Sequence, residues 1–573
     1  MSGEQLSGQT FTLQTWRLTI RLPELLSGVA SGPIVHQVPS DPTVTIRNGT
    51  YTGIYNGNYY QDMFLGISYA QPPLGELRFN FPARLNTSWT GTRDAKEYSP
   101  QCVGYLSEFS PYKMSEDCLT INIVRPADIS QGEDLPVAFW IHGGGLTNDG
   151  SSNVLYNLSN IVRKSVAIGK PMIGVSINYR LSSWGLMYNT ELAKLGLSNL
   201  SLRDQRLAMH WVQENIAAFG GDPRKVTIWG VSAGAMSVSA HTLAFGGREN
   251  GLFRACILES GTSQYTKPNF TMLDAQYAAL ATNLSCPSLT DDDALACIRH
   301  APFEALNAFF NGSMNSHAWI DGDFLPTYGS EMFRNGTFLR VPLLAGTNTD
   351  EMTGWTPYGI NTDEDFLKQT SARDPIDEAT KETLARLYPD IPSIGLPITY
   401  HGRPNSTIGL QFKRAATYTS DNVMHSQARL ARKARSNHNT PTYAYRFNVV
   451  YNSLPPWFGS MHALEFPLVF QNLGKFEDPA DGQNPFEGMP KSFYDLADLM
   501  SRMWISFVHD MDPNGHGVAG TPQWPLYRDE GVGNGRNFVL DANVTGLGYA
   551  ESDTWRAEAI QYLNDVAVSQ YGR

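Results

Sequence analysis

One short segment combines a reactive side chain with a backbone that could expose it. Residues 226–236 read Val-Thr-Ile-Trp-Gly-Val-Ser-Ala-Gly-Ala-Met, with Gly230, Ser232 and Gly234 at alternate positions. The β-branched and aromatic residues before Gly230 predict a strand, and the residues after Gly234 are compatible with a helix. A strand, a tight turn and a helix in this order would lift the Ser232 hydroxyl clear of a sheet, where it could act as a nucleophile.

The Gly-x-Ser-x-Gly pattern alone is weak evidence, because a chain of this size and composition yields about 0.4 matches by chance. Its surroundings favour the functional interpretation. A Gly-Gly-Asp-Pro turn at 220–223 precedes the strand, and small neighbours are what a sharp strand-to-helix turn requires. The backbone N–H of Ala233, at the helix N-terminus, would then point to where negative charge develops on a bound ester.

A second glycine run follows another predicted strand. Leu135–Ile141 is apolar and leads directly into His142-Gly-Gly-Gly-Leu. Glycines leave backbone N–H groups free to approach a ligand, so we interpret the run as an oxyanion loop rather than a flexible turn. We expect His142 to hold this loop in place.

A serine nucleophile of this kind requires an acid and then a histidine further along the chain. Val341–Leu344 predicts a short strand, and Asp350 and Glu351 follow it. Strand ends are where such folds place functional side chains. From position alone, both carboxylates are candidates for the acid.

His462 is the histidine that we expect to complete the series. It lies in a loop that enters an apolar segment, downstream of both carboxylates, as the chain order demands. Histidines in helices are more often packed or solvated than catalytic. Four of the other histidines lie in helix-like stretches, namely His241, His300, His425 and His509.

The composition and the net charge limit the kinds of partner and cofactor that we expect for this protein. The 573 residues are 42% hydrophobic and 17% charged, which is ordinary for a globular protein, and no run of about 18 apolar residues predicts a membrane span. A net charge of -12 and a pI near 5.5 argue against nucleic acid as a partner. No His-x-x-x-His spacing predicts a metal site, and attack by a serine on an ester needs no cofactor. The oligomeric state is not predicted.

The cysteines and the Asn-x-Ser/Thr glycosylation motifs (sequons) indicate whether the protein is secreted or cytosolic. Spacings suggest Cys102 with Cys118 and Cys286 with Cys297, with Cys256 alone in a predicted buried strand, whereas in a cytosolic protein all five would be reduced. Asn-x-Ser/Thr sites favour a secreted or extracellular protein. The candidate glycosylation sites are Asn48, Asn86, Asn157, Asn199, Asn269, Asn283, Asn311, Asn335, Asn405 and Asn543.

Domain organisation follows from the two ends of the chain. Residues 1–40 are predicted to be an N-terminal tail or a residual leader, although 1–35 lacks the uninterrupted apolar core of a leader peptide. Residues 41–573 contain no linker-like stretch, which predicts a single domain.

Several further motifs resemble the type-B carboxylesterase and lipase family, which includes cholinesterases, fungal lipases and fungal carboxylesterases. They extend over about 43–565 and are the segment 64–79, Glu116-Asp-Cys-Leu, Asn178-Tyr-Arg, Asp204-Gln-Arg, Asp512-Pro-Asn and Trp524-Pro. The resemblance is strongest to the fungal carboxylesterases. It implies an α/β-hydrolase fold, with a large, mostly parallel, twisted central sheet flanked by helices and with inserted helical segments that form the pocket.

The resemblance also implies site residues. The family motif Asn-x-Asp-Glu-Gly makes Glu351 the acid, although Met352 stands in place of the last glycine. It implies a Gly-x-x-His site at His462. The family takes its oxyanion donors from the amides that correspond to Gly144, Gly145 and Ala233.

By the same resemblance, several charged residues are scaffold. Arg78 is expected to pair with Glu116 and Arg180 with Asp204, as buried ion pairs that fix loops.

These residues together predict a serine hydrolase that cleaves small to medium carboxylic esters through an acyl-enzyme. Ser232 would attack, His462 would move the proton, and Glu351 would orient the imidazole. A triacylglycerol lipase of the same family is the alternative. Only fifteen residues lie between Cys102 and Cys118, whereas similar lipases carry a longer flap there, which favours the esterase.

Two features argue against a cholinesterase. Val231 precedes the nucleophile where cholinesterases have Glu, and the Cys102–Cys118 loop contains no Trp, offering Tyr105, Phe109 and Tyr112 instead. An alternative of another class is a catalytically silent adhesion or binding protein, because members of the superfamily have lost the nucleophile or the histidine. Both residues are present in this chain.

Overall fold

The structure is a computed structural model of the full chain. The residues that it describes are 40–105, 112–287, 293–312, 315, 317–372, 374–474, 486–528 and 535–573. Phe109 and the predicted tail up to residue 39 lie outside them.

Sixteen strands are found in the described part of the chain. They are β1 Thr43–Ile46, β2 Gly49–Thr52, β3 Ile54–Asn56, β4 Gln61–Ser68, β5 Thr92–Asp94, β6 Gln101–Cys102, β7 Met114–Ser115, β8 Thr120–Pro126, β9 Leu135–Ile141, β10 Ile173–Ile177, β11 Gly221–Val231, β12 Ala255–Glu259, β13 Leu343–Asn348, β14 Thr442–Phe447, β15 Arg536–Leu540 and β16 Gly548–Ser552.

Seventeen α-helices accompany them in the same described ranges. They are α1 Ser159–Ala167, α2 Ser182–Leu186, α3 Thr190–Lys194, α4 Leu200–Asn215, α5 Ala233–Gly247, α6 Phe270–Asn283, α7 Asp293–His300, α8 Phe303–Gly312, α9 Gly329–Arg334, α10 Asp363–Thr370, α11 Glu378–Leu387, α12 Phe412–Ser420, α13 Ser426–Asn437, α14 Phe466–Phe470, α15 Lys491–Asp510, α16 Ala557–Asp565 and α17 Ala567–Tyr571. None of the described helices is both long and apolar enough to cross a bilayer.

Eleven strands form one mixed sheet in the order β16-β15-β14-β13-β12-β11-β9-β10-β8-β4-β3. The seven strands from β15 to β10 run parallel, and antiparallel pairs close both edges. Parallel strands are covered by helices on both faces and therefore read as continuous apolar runs. Strand β9 follows this rule, since all seven of its residues are buried.

The predicted α/β-hydrolase architecture is confirmed. One boundary differs from the prediction, because β13 covers Leu343–Asn348 and not Val341–Leu344. Gly346 and the polar residues after it looked like a loop. They continue the strand because they pair in parallel with Tyr445, Arg446 and Phe447 of β14. The Tyr445 ring lies 2.3 Å from where a Cβ on Gly346 would be.

Both proposed cystine bridges are formed. Cys102 is bonded to Cys118 and Cys286 to Cys297, while Cys256 is a buried free thiol. Two bridges stabilise the fold by restricting the unfolded chain.

The two expected ion pairs are also present and buried. Arg78 donates to both carboxylate oxygens of Glu116, at 2.7 and 2.8 Å. Arg180 donates through its side chain to both oxygens of Asp204, at 2.8 and 2.6 Å, and through its backbone N–H at 3.0 Å. Asp204 is fully buried, so its charge depends on this one partner.

We expect Asp204→Ala to lower the free energy of unfolding by about 3–5 kcal/mol, because it leaves the Arg180 guanidinium buried without a counter-charge. Urea denaturation of the variant measures the loss. The double variant Arg180→Met/Asp204→Leu is the control, and it should recover much of the stability because no unpaired charge remains. A single variant as stable as the parent would contradict this account of the pair.

Candidate active site

The residues predicted to do chemistry follow strands from the parallel centre of the sheet, β14-β13-β12-β11-β9. The glycine loop follows β9, Ser232 follows β11, and Glu351 follows β13. His462 comes fifteen residues after the end of β14, on a loop that returns to the same edge. Parallel neighbours present their carboxyl ends at one edge of the sheet, about 4.8 Å apart. The topology therefore gathers these four groups at one edge.

Ser232 has the backbone of a sharp elbow, with φ 56° and ψ -124°. Its N–H donates to the Glu259 carbonyl at 2.8 Å, and its own carbonyl accepts from Met236 N–H at 2.9 Å, in the first turn of α5. This conformation is strained for a residue with a side chain and costs about 1–3 kcal/mol. The surrounding hydrogen bonds hold it in place.

The two motif glycines are required by close backbone contacts. A Cβ on Gly234 would lie 2.1 Å from the Ile141 carbonyl oxygen, at the end of β9. A Cβ on Gly230 would lie 2.5 Å from the carbonyl carbon of Gly234. Only glycine allows α5 to begin this close to the neighbouring strand.

The glycine loop lies against the serine. A Cβ on Gly143 would come 3.3 Å from the Cβ of Ser232, so the loop and the elbow are in contact. Gly144 and Gly145 have φ of 84° and 64°, in the left-handed region that favours glycine. Two of the three backbone amides predicted to bind an oxyanion therefore lie on a loop that touches the serine, and the third, that of Ala233, directly follows it.

His142 is part of the support for this loop. Its ring stacks on Tyr179 with centroids 4.3 Å apart, and the Tyr179 hydroxyl donates to the His142 carbonyl at 2.8 Å. Burial lowers the pKa of His142, which favours the neutral ring. This agrees with a structural role.

Glu351 and His462 form a tight pair. Nδ1 of His462 lies 2.6 Å from Oε2 of Glu351, and the His462 backbone N–H donates to the Glu351 carbonyl at 3.0 Å. The other carboxylate oxygen accepts from Asn348 N–H at 2.7 Å. Contacts at both oxygens fix the carboxylate, and the carboxylate fixes the imidazole.

Asp350, the competing carboxylate, has a different environment. Its Oδ2 accepts from Ser460 N–H at 2.8 Å, and its own N–H donates to the Ser460 carbonyl at 3.0 Å. Burial raises the pKa of Asp350 to about 7. It fastens the histidine loop to the acid loop and does not contact the imidazole, so Glu351 fits the acid role better.

The electrostatics of the pair favour an ionised carboxylate beside a basic imidazole. Burial would raise the pKa of Glu351, but the charge and hydrogen bond of His462, together with His425 and Ser260, lower it below its usual value. Burial would lower the pKa of His462, but the charge and hydrogen bond of Glu351, together with the charge of Glu465, raise it above its usual value. Each group thus stabilises the charged form of the other.

Ser232 and His462 are not yet joined by a hydrogen bond. Among the described residues, neither the Ser232 hydroxyl nor Nε2 of His462 has a hydrogen-bond partner. Such contacts are often long without substrate and tighten in the reacting complex. The exposed Trp355 ring meets the His462 ring edge-on, with centroids 5.4 Å apart, so an aromatic surface adjoins the histidine.

Sequence reasoning missed a polar layer behind the Glu351–His462 pair. Ser260 donates to Oε1 of Glu465 at 3.2 Å, and the Asn348 side chain donates to Oε2 of Glu465 at 2.7 Å. Burial, and then the nearby charge of Glu351, raise the pKa of Glu465 to about 7. The only available signal was its position three residues after His462, in an apolar segment.

The sequence is similar to characterised proteins over most of its length. The profile of the carboxylesterase family matches residues 40–543. Lipase 4 of Diutina rugosa is 31% identical, with 92% of this chain and 97% of that protein covered. The secreted triacylglycerol lipase LIP1 of Gibberella zeae is 31% identical, with 87% of each chain covered.

Solved structures give the same picture. EstA of Aspergillus niger superimposes with a TM-score of 0.78 at 25% identity, covering 92% of this chain and 99% of that one. A PNB esterase superimposes with a TM-score of 0.74 at 27% identity, covering 91% of this chain and 99% of that one.

We expect the rate to fall as the pH drops through the raised pKa of His462, because a protonated imidazole cannot accept the serine proton. Glu351→Gln removes the charge that raises this pKa. It should therefore move the acidic limb of the kcat/KM profile to lower pH and reduce the plateau by roughly 10³–10⁴-fold.

Asp350→Asn is the matched control, because it neutralises the adjacent buried carboxylate. The acidic limb of this variant should stay near that of the parent. If Asp350→Asn moved the limb and Glu351→Gln did not, the assignment of the acid would be reversed.

Proposed function

The chain belongs to the carboxylesterase family and is a carboxylic ester hydrolase, and on this premise we propose that Ser232, His462 and Glu351 are its catalytic triad. The contact that carries this proposal is the 2.6 Å pair of His462 and Glu351, at the same sheet edge as the strained serine. Residues 41–573, which form one compact unit, are proposed to act as a single catalytic domain.

In the proposed mechanism, Ser232 attacks the ester carbonyl carbon while Nε2 of His462 takes its proton. Glu351 stabilises the imidazolium that forms. The amides of Gly144, Gly145 and Ala233 donate to the oxygen that becomes negative, and each is worth roughly 2.7–4 kcal/mol in the transition state. His462 returns the proton to the leaving alcohol, and an acyl-enzyme remains.

In the second half of the reaction, water replaces the alcohol. His462 removes a proton from the water as it attacks the acyl carbon, and the carbonyl oxygen again becomes negative against the same amides. Collapse of this intermediate breaks the bond to Ser232, which regains its proton from His462. The acid product leaves and the enzyme is restored.

We expect a fluorophosphonate probe to label the parent protein and to fail with Ser232→Ala, because the probe reacts with the activated hydroxyl. Mass spectrometry of the labelled peptide measures the site. Ser239→Ala is the control, since it removes a buried hydroxyl two turns along the same helix and should leave labelling intact. Well-folded parent protein that stays unlabelled would favour the catalytically silent alternative.

The substrate is proposed to be a small to medium ester rather than an emulsified triacylglycerol. The Cys102–Cys118 bridge closes a loop whose chain-entropy constraint is worth roughly 3 kcal/mol. Tyr105 accepts from Trp184 at 2.9 Å and donates to Asn307 at 2.8 Å, and the Tyr112 hydroxyl accepts from Val154 N–H at 3.0 Å. These anchors hold both ends of a loop of only fifteen residues, which is short for a flap over a large apolar cleft.

A lipase is the second candidate, because several similar proteins carry that name and the exposed Trp355 offers apolar surface beside His462. We expect tributyrin hydrolysis to follow simple saturation below the solubility limit of the substrate, without a jump when emulsion droplets appear. Rates measured across that limit separate the two functions. A sharp rise there would favour the lipase.

Secretion is proposed from the same relatives, of which several are named as secreted, and from the two cystine bridges. Nine of the ten sequons lie at least partly exposed. Asn199 does not, because its side chain is buried and donates to the Trp319 carbonyl at 2.8 Å and to Asp321 at 2.9 Å. We therefore leave Asn199 out of the proposed glycosylation sites.

A further inference from the structure

A cavity of about 370 Å³ lies outside the residues assigned to the active site. Most of its wall is apolar and comes from the segment after α11 and from Trp555. Its side chains include Leu387, Ile394, Ile398, Trp555, Arg414 and Arg556. The volume is within the range of small-molecule sites, which are mostly apolar with few polar groups.

The charged groups of this wall are all positive. Among the described residues that line the cavity there are two guanidinium groups and no carboxylate. Arg414 is engaged elsewhere, since it donates to Asp363 at 2.8 Å and to the Tyr388 carbonyl. Arg556 donates through Nε and Nη2 to the two oxygens of Asp421, at 2.6 Å each.

One guanidinium nitrogen of Arg556 makes no hydrogen bond to the described residues. This nitrogen, Nη1, is buried. An unpartnered N–H of a buried guanidinium is costly, and a carboxylate is the acceptor that this fork fits best. A ligand that carried a carboxylate on an apolar chain would accept a hydrogen bond from this nitrogen and would pack its chain against the apolar wall.

We propose that this cavity binds a small apolar carboxylate, of the chemical class of a medium-chain fatty acid. The apolar chain would pack against Leu387, Ile394 and Ile398. The carboxylate would pair with Arg556, after a small shift that uncovers Nη1. Such acids are also a product class of ester hydrolysis, so the enzyme could sense the acid that it releases.

A chain of hydrogen bonds leads from the cavity wall towards Glu351. Asp421, which holds Arg556, begins a π-helical turn, Asp421–His425, a form that is frequent at functional sites. His425 contacts Asp421 at 2.9 Å through Nδ1 and the Asn348 carbonyl at 3.0 Å through Nε2. Asn348 in turn donates its N–H to Glu351 at 2.7 Å.

Because of these contacts, a ligand that binds Arg556 changes the environment of Asp421. Through His425, it also changes the environment of the strand end that holds Glu351. We expect occupancy to change kcat. This second part rests on the proposed role of Glu351, whereas binding at the cavity does not.

Calorimetric titration of Ser232→Ala with sodium octanoate, below its micelle concentration, tests the binding. Ser232→Ala releases no acid of its own, so only the added acid is measured. Adding Ile394→Glu to this protein places a negative charge at the cavity, which repels the carboxylate of octanoate and should raise the Kd of octanoate about tenfold. Ile394 is 52% exposed, so this change should leave the fold intact.

Ile391→Glu is the matched control, because Ile391 is 48% exposed but does not line the cavity. The Kd of octanoate for the Ile391→Glu variant should stay within about twofold of the Kd for Ser232→Ala alone. Octanol should bind more weakly than octanoate because octanol lacks the charge. Octanoate that binds Ile394→Glu as tightly as Ile391→Glu, or binds none of the proteins, would overturn the proposal.

The coupling is tested on the active enzyme with a p-nitrophenyl ester. Octanoate should change kcat in the parent and in Ile391→Glu, but less in Ile394→Glu. A rise in KM alone, equal in all three proteins, would place the acid in the active site and remove the coupling. Fluorophosphonate labelling of Ser232 is scored separately, so a failure of the triad assignment is not mistaken for a failure of binding.

Discussion

The close approach of helix α5 to the end of strand β9 is the constraint on which the rest of the structure depends. The Ile141 carbonyl occupies the space next to Gly234, and Gly234 fills the space next to Gly230, so neither position accepts a side chain. Ser232 between them adopts a backbone that costs about 1–3 kcal/mol. It persists because the neighbouring strand β12 supplies the acceptor for its N–H, the Glu259 carbonyl, and the first turn of α5 supplies the donor for its carbonyl, the Met236 N–H. The position of the half-buried serine is thus a consequence of how the centre of the sheet is packed.

Two buried carboxylates behind the proposed triad, Glu465 and Asp421, make the free energy of unfolding depend on pH in opposite directions. Burial and the charge of Glu351 raise the pKa of Glu465 to about 7. A folded-state pKa above the ordinary value means that Glu465 favours folding most in acid and loses this contribution as the pH rises through 7. Asp421, between Arg556 and His425, has its pKa lowered despite burial, so its contribution is present at neutral pH and is lost only in strong acid. Folding and a basic His462 are therefore best reconciled near neutrality.

Local patterns predicted the residues whose neighbours are close in sequence. The elbow, the glycine loop after β9 and the loop position of His462 are each visible within about ten residues. Polar contacts across the fold were not visible, because Ser260 and Glu465 lie 205 residues apart and neither has a motif of its own. The end of β13 was missed for a similar reason. Gly346 reads as a turn until its pairing with Tyr445 of the neighbouring strand is known.

Orientation of the imidazole does not depend on the serine. Glu351 holds Nδ1 of His462, the Glu351 carbonyl holds the His462 backbone, and Asp350 holds Ser460 two residues earlier. With three contacts on one side of the loop, the ring has its tautomer and direction set before substrate arrives, and Nε2 is left as an acceptor. In the proposed mechanism, Nε2 is then the atom that accepts the proton of the Ser232 hydroxyl. Preorganisation of this kind places the cost of ordering in the fold and not in the catalytic step.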